Sequence, residues 1–189
     1  MRVTVIGGHG KVALLAAPLL AAAGHDVRSV VRNPEHVPDV EAAGATAVVA
    51  DVEHLDLAAT GALVRGSDVV VWSAGAGGGS PKRTYAVDRD DAIRAIDAAV
   101  AEGVGRFVIV SYVGSGRDNV PEDDPFHAYA TAKAAADDHL SRTALNWTIL
   151  GPGQLTLDEP TGRIEYGDHV EQGATSRGNV AEVIAAVVR

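Results

Sequence analysis

Residues 5–13 read Val-Ile-Gly-Gly-His-Gly-Lys-Val-Ala, and this stretch decides the fold. The residues before Gly7 are β-branched and apolar, which predicts a buried strand over Val3–Ile6. The alanine-rich run from Lys11 to Ala23 predicts a helix. Between them the spacing is Gly7-x-x-Gly10-x-x-Ala13. Gly7 permits a tight turn out of the strand, Gly10 lets backbone approach a pyrophosphate, and Ala13 lets the helix pack close to the sheet. The first N–H groups of such a helix have no partner inside it, so they face an anion placed at the turn. Gly7, His9, Gly10 and Lys11 are therefore candidate phosphate contacts, and Gly8 and Val12 stand beside them in the chain. A tight turn with no ligand explains the glycines alone, but less readily their place between a strand and a helix.

Outward from this stretch, strand-like and helix-like segments alternate. Asp26–Val31, Thr46–Ala50, Asp68–Ser73, Phe107–Val110 and Trp147–Leu150 read as further strands. Val87–Glu102 reads as a helix with the apolar stripe Val87, Ile93, Ile96 and Val100. Tyr129–Ser141 and Asn179–Val188 read as two more helices. Short strands that are apolar on both faces, separated by helices, predict an α/β Rossmann fold. In it, a doubly wound, mostly parallel sheet carries helices on both faces. A chain of 189 residues fits one such domain, 1–189, with residues 151–177 as a small substrate-side segment. A (β/α)8 barrel needs roughly 250 residues. Pro18 falls inside the first helix, where it removes a hydrogen bond, so a kink is expected there. The glycine run Gly75–Gly79 reads as a loop beside a ligand.

Composition narrows the partners. A formal net charge of -9 argues against nucleic acid or an anionic membrane as partner. The longest early apolar run, Val12–Ala23, is too short to span a bilayer, and no signal-peptide pattern precedes it, so a cytoplasmic location is expected. The absence of cysteine removes disulfides, thiolate metal ligands and thiol nucleophiles, and the scattered histidines form no metal motif. Four tyrosines and two tryptophans are too few for an aromatic-rich interface, and a monomer or homodimer is expected.

The second strand ends Val30-Val31-Arg32-Asn33-Pro34. An NAD site usually places an acid there for the ribose diol. Arg32 instead suits a 2'-phosphate, so NADP(H) is preferred over NAD(H) as the expected cofactor. Asp51 and Val52, after the third strand, are placed for the adenine edge. Ser111 ends the fifth strand, and Tyr129 and Lys133 stand four apart on one helical face. A lysine beside a tyrosine can lower the phenol's pKa, and the phenol can then exchange a proton with a substrate oxygen that a serine holds. A half-buried tyrosine with a surface lysine is the plain structural alternative.

These pieces together resemble an atypical short-chain dehydrogenase/reductase of the NAD(P)H-binding, NAD-dependent epimerase/dehydratase-like branch. The resemblance is carried by Gly7 to Lys11, Val31 to Pro34, Asp51 and the run Asp88-Arg89-Asp90-Asp91-Ala92-Ile93. Gly103 to Ser111, Tyr129-x-x-x-Lys133, Pro152-Gly153-x-Leu155 and Thr175-Ser176-Arg177-x-x-Val180 complete it. It implies that Ala74 and Gly75 line the middle of the cofactor, and that Ser111, Tyr129 and Lys133 flank the nicotinamide. It also implies that Pro152, Gly153, Gln154 and Leu155 close over that ring, with Asp158 to Arg163 bordering substrate. The chain departs from the pattern at Gly151, where arginine is common, and at Tyr112, where a second serine is usual. Relatives also often run on into a short strand beyond the position of Arg189.

Three functions are compatible with this. The first is NADPH-dependent reduction of a small carbonyl, quinone or flavin-like substrate. The second is a non-catalytic NADPH-binding redox sensor that reports to a partner. The third is nucleotide-sugar epimerisation or dehydration, which needs a larger substrate lobe than about 30 residues supply.

Overall fold

The computed structural model describes residues 1–78, 80–167, 170 and 173–188. Six parallel strands form the central sheet: β1 (Arg2–Ile6), β2 (Asp26–Val31), β3 (Thr46–Val49), β4 (Val69–Trp72), β5 (Arg106–Val110) and β6 (Asn146–Leu150). Their order is β3-β2-β1-β4-β5-β6, and every neighbouring pair is parallel. The chain winds outward to β3, then returns across β1 to β4. A crevice opens where that direction reverses, at the carboxyl ends of β1 and β4.

The strands divide their side chains between two apolar layers. Val3, Val5, Val27, Val69, Val71 and Val108 face α1 (Lys11–Ala22) and α7 (Arg177–Val187), meeting Ala16, Leu20, Ala181 and Ile184. Ile6, Val30, Val70, Trp72, Phe107 and Ile109 face the opposite layer. That layer comprises Val64 of α3 (Leu57–Val64), Ile96 of α5 (Ala92–Ala101) and Leu140 of α6 (His127–Ser141). Burial on both faces holds for the inner strands; the edge strands β3 and β6 are partly open, with Val49 and Trp147 exposed.

Two helices escaped the sequence reading. The helix α2 (Val37–Ala42) follows a short turn in which the Asn33 side chain accepts the Glu35 N–H. The helix α3 is capped by Asp56, whose carboxylate accepts the Ala59 N–H at 2.8 Å. Such caps satisfy donors at a helix start and are readable signals. Pro18 does not interrupt α1, which stays helical from Lys11 to Ala22. It lies on the exposed side of the helix.

The helix expected over residues 87–102 begins earlier and is not uniform. It comprises α4 (Pro81–Thr84), a wide π-helical segment (Tyr85–Asp91) and α5. Its buried face is mostly alanine: Ala92, Ala95, Ala98 and Ala99 join Ile96, while Val100 faces solvent. Of the expected stripe, Val87 and Ile96 are buried and Ile93 packs against the core, while Val100 is exposed; the alanines complete the buried face.

In the substrate-side segment, β7 (Gln154–Thr156) pairs in parallel with β8 (Ala174–Ser176) as a separate two-stranded sheet. Gly79 of the glycine run, and residues 168, 169, 171 and 172 of this segment, lie outside the described residues. No helix among the described residues is long and apolar enough to cross a membrane.

Candidate cofactor and active site

The glycine turn is shaped by close approach. Gly7 has φ +84°, and a Cβ there would stand 2.6 Å from the backbone of Ala74, just after β4. Gly8 is fixed by packing: its N–H donates to the Val30 carbonyl at 2.8 Å, and a Cβ would stand 2.5 Å from that of Ser29. The Gly10 N–H closes the turn on the Gly7 carbonyl at 2.9 Å. Gly10 also caps α1, which has neither a side-chain cap nor an acid in its first turn. Val12 and Ala13 are buried under the helix, and Lys11 is exposed. A bare helix start behind a turn without side chains is the arrangement a diphosphate requires, so these residues fit a dinucleotide.

A cleft of about 280 Å³ continues from this turn along the ends of β1, β2 and β4. It is lined by Gly7, His9, Gly10, Arg32, Asp51, Val52, Ala74 and Gly75, all expected from the sequence. His36, Glu53 and Arg83 also line it and were not expected. The His9 ring stacks on His36 with centroids 3.6 Å apart, and its Nε2 meets Asp39 at 2.9 Å. No three metal-binding side chains gather among the described residues. Asp51 caps its own short turn, accepting the Glu53 N–H at 3.2 Å, and its other oxygen meets His54. Arg32 donates to Glu53 at 3.0 Å, and Arg83 donates to the same carboxylate at 2.6 Å.

The second half of the site lies past β5. Ser111 is buried, and its hydroxyl donates to Asp137 at 2.5 Å; Ser115 donates to the same carboxylate oxygen at 2.5 Å. The other oxygen of Asp137 is buried and has no hydrogen-bond partner among the described residues. Burial pushes this carboxyl above the usual carboxylate range, against the two hydroxyl bonds and Lys133, which pull it down. Asp137 therefore binds a proton more tightly folded than unfolded. The stability this supplies is full below the ordinary carboxylate pKa and is lost as pH rises through the raised value. Asp137→Asn should flatten the corresponding loss as pH rises above the ordinary carboxylate range, read by urea denaturation at a series of pH values. An unchanged slope would overturn the assignment.

Lys133 is not a surface lysine. It is 2 % exposed, and its Nζ lies 3.2 Å from Asp88 and 3.2 Å from the Val110 carbonyl it donates to. Asp88, itself buried on the π-helical segment, accepts the Ala76 N–H at 3.0 Å and so holds the loop after β4. The Tyr129 ring lies beneath Lys133 Nζ, with 5.7 Å between nitrogen and ring centroid. Tyr112 and Phe126 pack against the same ring. The phenol is not lowered, as a free neighbouring lysine would make it. Burial pushes it up first, and the charges of Asp88 and Asp137 add to that. Tyr129 is thus a protonated donor at neutral pH, and its hydroxyl has no hydrogen-bond partner among the described residues.

Pro152, Gly153, Gln154 and Leu155 bridge the two sheets. The Pro152 carbonyl accepts the Val113 N–H at 2.9 Å, and the Gln154 N–H donates to Gly173 at 3.0 Å. A Cβ on Gly153 would overlap the Gly173 carbonyl. Arg177 donates to the Leu155 carbonyl at 3.0 Å. These four residues, with Ser111, Tyr129 and Lys133, do not line the cleft around Arg32. Of the residues the sequence reading missed, Asp137 had a signal: it continues the spacing of Tyr129 and Lys133 by another four along α6. Glu53 and Arg83 had none, since their partners are distant in the chain; Asp88 stood in the run that carries the family resemblance, but nothing there pointed to Lys133.

The reversal of strand order, the bare glycine turn and the cleft beside it define a dinucleotide-binding Rossmann domain. The chain belongs to the NAD(P)H-binding family, whose model matches residues 7–189. An uncharacterised sugar epimerase of Bacillus subtilis, YhfK, is 34% identical over 98% of this chain and 87% of its own. A solved putative NAD-dependent epimerase/dehydratase from Bacillus halodurans is 36% identical, with a TM-score of 0.91 over 100% of this chain and 87% of that one. The oxidoreductase YlbE from Lactococcus lactis is 29% identical, with a TM-score of 0.87 over 100% of this chain and 84% of that one. The family and these neighbours place the chain in the atypical short-chain dehydrogenase/reductase branch.

Proposed function

We propose that the chain binds NADPH in preference to NADH and uses it to reduce a small carbonyl, quinone or flavin-like substrate. The observation that carries the cofactor reading is Arg32. It stands at the end of β2, in the cleft that begins at the glycine turn, and no acid follows that strand directly. Gly7 to Val12 would hold the pyrophosphate, Arg32 the 2'-phosphate, and Asp51 and Val52 the adenine. Ala74 and Gly75 would line the middle of the cofactor, and Pro152 to Leu155 the nicotinamide. The bound nicotinamide supplies a hydride. The chain's part is to hold the substrate oxygen while charge develops on it. Tyr129, protonated and with its hydroxyl unengaged, donates to that oxygen; Ser111 and Lys133 act from behind, through Asp137 and Asp88.

A second reading, an NADPH-binding sensor that catalyses nothing, has one observation in its favour. The Ser111 hydroxyl and the Lys133 ammonium both have inward, buried partners. Epimerase or dehydratase chemistry, named for two relatives, would call on the same cofactor end and ranks third.

Titration calorimetry tests the cofactor reading. The wild type should bind NADPH more tightly than NADH. Arg32→Ala should weaken NADPH by about tenfold or more, as expected for loss of a charged hydrogen bond, and leave NADH within about twofold. Equal wild-type affinities would overturn it.

A further inference from the structure

We propose that Glu53 is a specificity-determining residue that occupies, between Arg32 and Arg83, the place a 2'-phosphate would take, and that Arg83 is the second cation of that phosphate site. The inference rests on the NADPH reading above and deepens it.

The geometry is that of an anion already bound. One carboxylate oxygen of Glu53 receives Arg32 Nη1 at 3.0 Å, Arg83 Nη2 at 2.6 Å and Arg83 Nε at 3.2 Å. All three side chains line the cleft that starts at the glycine turn. The two arginines differ in how firmly they are held. Arg83 also donates to the Ala76 carbonyl at 2.6 Å, which ties it to the loop after β4. Arg32 has no second tie of this kind among the described residues, and 58% of its side chain is exposed. Its bond to Glu53 is therefore weak and readily exchanged.

Charge sets the consequence. The two guanidinium groups and the Glu53 carboxylate sum to +1, and Asp51, which lines the same cleft, adds a further negative charge near Arg83. A phosphate monoester brings a charge of about −1.5 to −2 and three acceptor oxygens. With Glu53 turned away, both arginines can pair with it; with Glu53 in place, the phosphate meets a like charge. A ribose that carries only hydroxyls makes no such demand, and the Glu53 carboxylate can accept from it directly. The same residue thus favours NADH and opposes NADPH, while the two arginines do the reverse. Glu53 sits on a short turn whose N–H is bound by Asp51, so its backbone is fixed and rotation of the side chain is what exchanges the partners.

The test is calorimetric and needs no substrate. NADPH, NADH, 2',5'-ADP and 5'-ADP are titrated into the wild type, Glu53→Gln and Arg83→Met. The two adenosine phosphates report this end of the cleft alone. Glu53→Gln should raise the NADPH-to-NADH affinity ratio about tenfold, with 2',5'-ADP following NADPH. Arg83→Met should lower NADPH and 2',5'-ADP about tenfold and leave NADH and 5'-ADP within about twofold. Circular dichroism confirms folding, and Arg83→Gln and Glu53→Ala replace any variant that does not fold. Suppose NADPH is preferred and Arg32→Ala abolishes the preference, but the Glu53 and Arg83 variants leave the ratio within about twofold. This inference then fails and the cofactor reading stands. If the wild type shows no preference and Arg32→Ala changes nothing, both fail.

Discussion

Lys133→Met should destabilise the folded chain by about 3–5 kcal/mol, the cost of breaking a buried ion pair from one side. Methionine matches the length of the side chain but leaves the buried Asp88 carboxylate without its direct ion-pair partner, and it removes the donor to the Val110 carbonyl. For a chain of this size that loss lowers the melting temperature by roughly 6–20 °C. Asp88→Asn in the same background should recover much of it. An asparagine oxygen can still accept the Ala76 N–H that Asp88 now binds, and no bare charge remains. Urea denaturation of the single and double variants checks both statements. A single-variant loss under about 1 kcal/mol, or no recovery in the double variant, would show that the pair is not electrostatically isolated from water. The result also bears on function: Lys133 would then be a residue that positions the loop after β4 and the Tyr129 ring, and only secondarily one that reaches a ribose.

Tyr129→Phe should lower turnover of an accepted simple aldehyde or ketone by about 100-fold, which corresponds to about 2.7 kcal/mol of lost transition-state stabilisation. The substitution keeps the ring that packs on Tyr112 and Phe126, so the fold and the cofactor affinity should hold, the latter within about threefold. Only the hydroxyl is lost, and its bond to the substrate oxygen strengthens as negative charge builds there. The phenol is held protonated by burial, so the reduction rate should show no dependence on its titration from acid to neutral pH. Single-turnover decay of NADPH absorbance, with the carbonyl compound saturating, is the measurement. An unchanged rate in Tyr129→Phe assigns the tyrosine to packing. Failure of carbonyls, quinones and flavins alike to oxidise bound NADPH above background would favour the sensor reading.

What the sequence made legible follows from how local each signal is. The strand, turn and helix around Gly7 are contiguous, and their periodicity and glycine spacing survive without tertiary information. Tyr129 and Lys133 were legible for the same reason, being one helical turn apart, and Asp137 was within reach of the same argument. The lysine's surroundings were not. Its partner Asp88 is forty-five positions earlier, on another helix, and only the packing of α6 against that helix joins them. Arg32 was readable as a cation at the end of β2, but its engagement by Glu53 depends on where the turn after β3 points. Along residues 87–102 the expected stripe holds at Val87, Ile93 and Ile96 and fails at Val100, and the alanines that complete the buried face are too weakly hydrophobic to stand out in a periodicity.

The π-helical segment at Tyr85–Asp91 makes this part of the chain sensitive to length rather than to composition. Each residue in a regular helix advances the side-chain direction by about 100°. The wide turn absorbs a surplus so that Val87, Asp88 and Asp91 within it and Ala92 directly after it are all buried. Deleting one residue here would let the backbone relax into an ordinary helix. It would also swing everything on the amino-terminal side, Arg83 included, out of alignment with the sheet. Point substitutions along the exposed side, at Arg89 or Asp90, leave that phase untouched. Homologues and engineered variants should therefore keep the count between Pro81 and Ala101 constant.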